Sequence, residues 1–238
     1  MNRRVRLIAF LIFFTLLFPL NESNYIETRS DYTVWEETNL KEYKQSQDTY
    51  IFVDLTNCKL TFFKENKPVK RYSIAIGTSE NPSPIGLFKV VEKGKWGKSF
   101  GGRWMGLNVP WGVYGIHGTT RPWSIGRAAS HGCIRMKNED IEELYEKVPH
   151  GTRVEIYGGP FGPFGKGFRV LRPGDTGADV VEVQRSLKMK GYYKGRLNGY
   201  YSKTMENSLN RFQKENGLSI TNVINTRIYE KLGIILDE

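Results

Sequence analysis

Short apolar runs broken by turn residues fill the chain from residue 50 to residue 91. Residues 50–55 (Tyr-Ile-Phe-Val-Asp-Leu) and 59–63 (Lys-Leu-Thr-Phe-Phe) read as two strands joined by Thr56, Asn57 and Cys58. Residues 65–68 mark a turn, 69–77 a third strand with alternating apolar positions, 81–86 another turn, and 87–91 a resumption of the sheet. Many short strands with Gly and Pro punctuation predict a mainly β, sandwich-like domain. One helix interrupts the pattern. Asn138 stands where a cap is needed, and Glu139 and Asp140 suit the positive end of the dipole. Ile141, Leu144, Tyr145 and Val148 then form one stripe that Pro149 and Gly151 end. Residues 152–157 read as a closing strand.

Beyond a Gly/Pro-rich stretch the period turns helical. Val180, Val183 and Leu187 share one face of a segment that stops at Gly191. Ser202 heads a second helix with Met205, Leu209 and Phe212 on its inner face, and a third holds Ile228 and Leu232. The pattern predicts a multi-domain chain: a mainly β domain with one or two helices over 49–158, a linker over 159–168, and a small all-α three-helix domain over 169–235.

Composition adds a direction of travel. The chain is 238 residues long with a formal charge of +10, a surface suited to nucleic acid, anionic membranes or anionic polymers. The first twenty residues narrow this. Arg3, Arg4 and Arg6 precede an apolar run from 7 to 20, too short to span a bilayer comfortably and suited to a secretory signal. No small-x-small cleavage site follows, which leaves anchoring in the membrane by an uncleaved signal open. Residues 21–48 read as a polar tether. The expected location is outside the cytoplasm, where two cysteines, Cys58 and Cys133, could pair.

Chemistry concentrates in two segments, 114–119 (Tyr-Gly-Ile-His-Gly-Thr) and 130–136 (Ser-His-Gly-Cys-Ile-Arg-Met). They hold two of the three histidines and one of the two cysteines. A thiol nucleophile needs a base or a cationic partner near neutral pH, and His117 and His131 are both candidates. His131 is two residues from Cys133 and shares its face in an extended segment. Backbone N–H groups of the Gly132–Cys133 turn could hold an oxyanion. Three bland readings compete: a Cys58–Cys133 disulfide, a zinc site from both cysteines with His117 and His131, and a structural cysteine beside satisfied histidines.

The segment 51–157 resembles the L,D-transpeptidase catalytic domain, whose signature reads here as His117-Gly118 followed by Ser130-His131-Gly132-Cys133-Ile134-Arg135, with a family-like turn from Pro82 to Phe88. The resemblance implies Cys133 as nucleophile and His117 as general base. It implies the Gly118 carbonyl as the group that orients His117, an oxyanion hole from His131, Gly132 and Cys133, and substrate contacts from Arg135 and Ser130. No cofactor or metal is implied. Residues 171–233 resemble a peptidoglycan-binding domain through Leu171-Arg172-Pro173-Gly174-Asp175-Thr176-Gly177, Asn198-Gly199-Tyr200-Tyr201 and Arg211-Phe212-Gln213. The expected function is then an exported enzyme that forms 3→3 cross-links by acyl transfer from tetrapeptide stems, with release of D-Ala. Its partners would be peptidoglycan stems and glycan, anionic wall polymers besides, and not nucleic acid. The alternatives are an L,D-carboxypeptidase, in which water resolves the thioester, and a non-catalytic wall-binding protein.

Overall fold

Strand β1 (Thr49–Asp54) buries every second residue, with Ile51 and Val53 fully inside. Its outward Tyr50 stacks at 4.3 Å on Phe63, its register partner on β2 (Lys59–Lys64). A flat aromatic pair directly across an antiparallel ladder fixes that register. Glu65 and Asn66 both have positive φ and turn the chain tightly into β3 (Lys67–Ser73). These elements belong to a computed structural model that describes residues 48–97 and 100–236. The expected signal and all but the last residue of the expected tether lie outside the described residues. Among the described residues no helix is long and apolar enough to cross a membrane.

The chain continues through β4 (Ile76–Gly77), β5 (Gly86–Gly94), β6 (Trp104–Leu107), β7 (Tyr114–His117), β8 (Ala128–Ser130), β9 (Ile134–Arg135), helix α1 (Asn138–Lys147) and β10 (Arg153–Tyr157). Eight strands run in the order β3-β2-β1-β10-β5-β6-β7-β9, and β4 pairs with β8 beside them. The expected sandwich is thus realised as one long curled sheet with a two-stranded companion. Its core joins Ile51, Leu60, Val90, Met105 and Ile116 from the sheet to Ile141 and Leu144 from α1 and Val148 just past its end. Each such side chain contributes about 1.5–3 kcal/mol through burial.

A second core holds the helices α2 (Ala178–Met189), α3 (Lys203–Glu215) and α4 (Thr226–Leu232). All the apolar positions read from the period, Val180, Val183, Leu187, Met205, Leu209, Phe212, Ile228 and Leu232, are buried in it. Ser202 and Asn225 cap α3 and α4 by accepting from Met205 N–H and Ile228 N–H.

One local expectation is corrected. Asn138 is not the cap of α1: Lys137 holds that position without a side-chain bond. The linker 159–168, for its part, has structure of its own. It folds a 3₁₀ turn, Gly162–Phe164, and Phe168 stacks at 4.2 Å on Tyr229 of α4 while Phe164 meets the same ring edge-on at 5.7 Å. Three aromatic rings bury too much surface to stay in solvent.

Candidate active site

The two sequence segments meet because β7 and β9 are parallel neighbours. Ile116 lies opposite Ile134, and His117 opposite Arg135. Carried one residue back, this register sets Cys133 beside Gly115, and a backbone hydrogen bond to Gly115 draws its thiol pKa down. Residues 115 and 117 share a face of their strand, so Cys133 and His117 are diagonal neighbours on one surface. Gly115 carries no side chain between them, and none would fit: a methyl there would sit 2.6 Å from the Trp104 ring and 2.7 Å from Met105 O.

His117 is 6% exposed. Its Nδ1 lies 2.6 Å from the carbonyl oxygen of Gly118. A carbonyl can only accept, so Nδ1 carries the proton and Nε2 is left with its lone pair. Phe100 packs against the imidazole at 5.1 Å and Trp104 at 5.7 Å, with Trp96 stacked on Trp104 at 4.5 Å. This aromatic wall strips water from the ring. Burial is the main cause that pushes its pKa down to about 4, the positive charge of Arg135 adds to it, and the Gly118 bond opposes it. The imidazole is therefore neutral at physiological pH.

Burial also raises the pKa of the Cys133 thiol above its ordinary value, against the pull of Gly115 and Arg135. The resting pair is thus a neutral thiol beside a neutral imidazole, not a thiolate–imidazolium pair. Both cysteines are free thiols, and Cys58 sits at positive φ in the β1–β2 turn, packed against the β-domain core.

The other named residues divide. Arg135 is half-buried, donates to Ala129 O at 3.0 Å and influences both His117 and Cys133. His131 is exposed. Ser130 is 2% exposed and faces inward: its hydroxyl donates to Cys133 O at 2.6 Å and accepts from Gly132 N–H at 3.0 Å. Ser130 thus braces the turn instead of facing a substrate, and the Gly132 N–H expected at an oxyanion is engaged within the turn. Gly132 has φ +107, and a methyl there would strike Tyr114 at 2.6 Å, so the turn requires glycine.

Asn138 gained its place here and not at the helix cap. Its Oδ1 accepts from Thr119 N–H at 2.9 Å and so pins the strand exit that carries the Gly118 carbonyl. The sequence held one signal for the aromatic wall: four of the five tryptophans lie at 96, 104, 111 and 123, flanking His117.

A mainly β domain that presents a neutral imidazole from one strand and a thiol from the turn leading into its parallel neighbour, joined to a small helical domain, is the class of molecule these features define. Comparison with known proteins narrows it. A family model described as the L,D-transpeptidase catalytic domain matches residues 48–156, and a peptidoglycan-binding domain model matches 176–232. A Bacillus licheniformis protein provisionally named L,D-transpeptidase YkuD is 44% identical over 107 residues, covering 44% of this chain and 64% of that protein. The Bacillus subtilis protein provisionally named L,D-transpeptidase YqjB is 34% identical over 125 residues, covering 46% of this chain and 71% of its own length. Among solved structures, an Enterococcus faecium L,D-transpeptidase is similar at 30% identity and a TM-score of 0.42, over 46% of this chain and 50% of that one. The chain belongs to the L,D-transpeptidase family. It spans just under two thirds of the length of the two YkuD relatives, at 64% and 65%.

Proposed function

We propose that this protein is an exported L,D-transpeptidase that uses Cys133 to form 3→3 cross-links between peptidoglycan stems. The observation that carries the reading is the His117 imidazole, neutral and fixed by Gly118 O with its Nε2 lone pair free, on the same sheet face as Cys133. In the first step Nε2 takes the thiol proton as Sγ bonds to the carbonyl carbon between the third residue of a tetrapeptide stem and its terminal D-Ala. The tetrahedral oxyanion is received by backbone N–H groups of the 131–133 turn, and Gly132 joins them only by releasing Ser130. Collapse breaks the C–N bond, and His117 returns the proton to the departing D-Ala amine. In the second step a side-chain amine of a neighbouring stem attacks the thioester, loses its proton to His117 and displaces the thiol.

Arg135 supplies a fixed positive charge beside both groups, and it holds the substrate near the nucleophile. The helical domain keeps the enzyme on the wall, and the basic surface favours anionic wall polymers. The apolar run after Arg3, Arg4 and Arg6 supports export, with an uncleaved signal as the alternative to release.

The test is to incubate the full chain with disaccharide-tetrapeptide and follow protein and products by mass spectrometry. The expected result is loss of D-Ala, an acyl adduct on Cys133 and a cross-linked dimer. Cys133→Ala abolishes all three, and Cys58→Ser retains most of the activity. An adduct on Cys58, or none on either cysteine, would sink the reading. Tripeptide as the sole product would turn the assignment to the L,D-carboxypeptidase alternative.

A further inference from the structure

The catalytic turn has a second neighbour besides the sheet. Tyr114 and Pro82, which pack directly on Gly132, also line a cleft of roughly 760 Å³. That volume lies within the range of small-ligand sites. Its near wall is the 76–85 loop, pinned to the turn by Thr78 N–H donating to Ser130 O at 3.2 Å and folded by Ser83, whose hydroxyl accepts from Gly77 N–H at 2.8 Å. Its far wall comes from the C-terminal domain, from residues 174–179 at the start of α2. Neither Cys133 nor His117 lines the cleft; two residues that do, Tyr114 and Pro82, abut Gly132 of the turn that carries Cys133.

Trp111 forms the joint between the two walls. Its indole packs edge-on against Phe88 at 5.9 Å on the catalytic side. On the other side it touches the helical domain so closely that a methyl on Gly199 would sit 2.5 Å from its Cε3. The indole N–H, which can only donate, approaches the Tyr114 hydroxyl closely enough to oppose the rise in its pKa that burial causes. A rigid aromatic therefore links the helical domain to the residue that abuts the catalytic turn.

We propose that the helical domain is a structural wall of the substrate cleft and that the cleft receives the acceptor stem, an amine-bearing peptide. This rests on the acyl-transfer reading above. The acceptor is chosen over the donor because its reacting group is the amine itself, whereas the donor reacts at a carbonyl, and the cleft is acidic. In a strongly basic chain the cleft holds three carboxylates, Glu80, Asp175 and Asp179, against Lys166 and Arg169. Asp179 is paired with Arg169 at 2.5 Å, while exposed Glu80 has no ion pair among the described residues. An ammonium group entering the cleft meets net negative charge and is led toward the thioester.

Two full-length variants test this. Ala178→Trp fills the cleft from the half-buried first residue of α2, and Glu80→Gln removes the exposed charge without changing shape. Thermal melts confirm that both fold. In the transpeptidation assay, Ala178→Trp leaves Cys133 acylation by tetrapeptide within about twofold and lowers the ratio of cross-linked to hydrolysed product at least about tenfold, because the acceptor loses its position. Glu80→Gln lowers that ratio about two- to fivefold, the size of an exposed ion pair. An unchanged ratio in Ala178→Trp overturns the proposal. Acylation that falls as far as cross-linking makes the cleft a donor site and overturns it as well. Calorimetry with an amine-bearing stem peptide on full-length Cys133→Ala chain reads the cleft without catalysis, so it separates this proposal from the acyl-transfer reading. Adding Ala178→Trp to that chain weakens the binding at least about tenfold. Glu80→Gln weakens binding of the amine peptide but not of its acetylated form. Equal Kd values with the cleft open and with it filled by Ala178→Trp refute the inference even if the transpeptidation reading stands.

Discussion

Burial of His117 should make this protein sensitive to acid, and the size of its contribution follows from the site. An unfolded histidine takes up its proton near 6.5, whereas buried His117 does so only near 4. Between those values the unfolded chain binds more protons than the native one, so stability rises with pH across the window and is lost as pH falls through it. Each tenfold difference in proton affinity is worth about 1.4 kcal/mol. The full loss attributable to His117 is therefore ~3 kcal/mol, of which about 2 kcal/mol is gone by pH 5. That is a large share of the ~5–15 kcal/mol that holds a typical domain folded. Urea unfolding of the wild type and of His117→Gln at pH 7, 6, 5 and 4.5 isolates it, because the variant has no imidazole to titrate at that position. The wild-type curve should drop more steeply by the stated amounts. Parallel curves would show that the imidazole is hydrated and protonates normally, and the neutral-pair account of the site would fail. The same account requires the acylation rate to stay flat from about pH 5.5 to 7 instead of bending at the ordinary histidine value.

His117→Ala should slow Cys133 acylation by about 10²–10⁴, the usual cost of losing a general base, whereas exposed His131→Ala should cost about tenfold or less; the reverse order would move the base to His131. Asn138→Ala leaves the Thr119 N–H without its acceptor and should cost ~1–3 kcal/mol of stability, with acylation about ten- to a hundredfold slower as the Gly118 carbonyl drifts. Asn138→Asp keeps the acceptor and should restore most of the rate, which a purely structural loss would not require.

The helices of the C-terminal domain were fully legible, because one stripe of Val180, Val183 and Leu187 has a single helical interpretation. Strands β1 and β2 were legible as short apolar runs bounded by turn residues. β6 was not: Trp104, Met105, Gly106 and Leu107 are all buried, and a strand covered on both faces shows no alternation. β9, two residues long, is set by its neighbours and has no pattern of its own. The choice between two histidines was open in the sequence because His131 is near Cys133 along the chain. Strand register, a property of pairing between distant segments, is what brings His117 to the same surface. Asn138 misled because a side chain at a helix start has two uses, and only the approach of Thr119 decides between them. The Gly/Pro-rich stretch read as a spacer because composition reports backbone freedom, whereas Phe164 and Phe168 report where the segment packs.

The third member of the site, the Gly118 carbonyl, has a genetic consequence. In a triad that ends in a carboxylate, one codon change erases the orienting group. Here the orienting oxygen belongs to the main chain and survives every substitution at position 118. What substitution can destroy is the path of the chain. A methyl on Gly118 would lie 2.6 Å from Asn138 Oδ1 and 2.8 Å from Gly101 Cα. The inactivating mutations of this element should therefore be additions of bulk at 101 and 118, not losses of a functional group. Drift that preserves the crossing of these two glycines can alter the surrounding loop without touching the tautomer of His117.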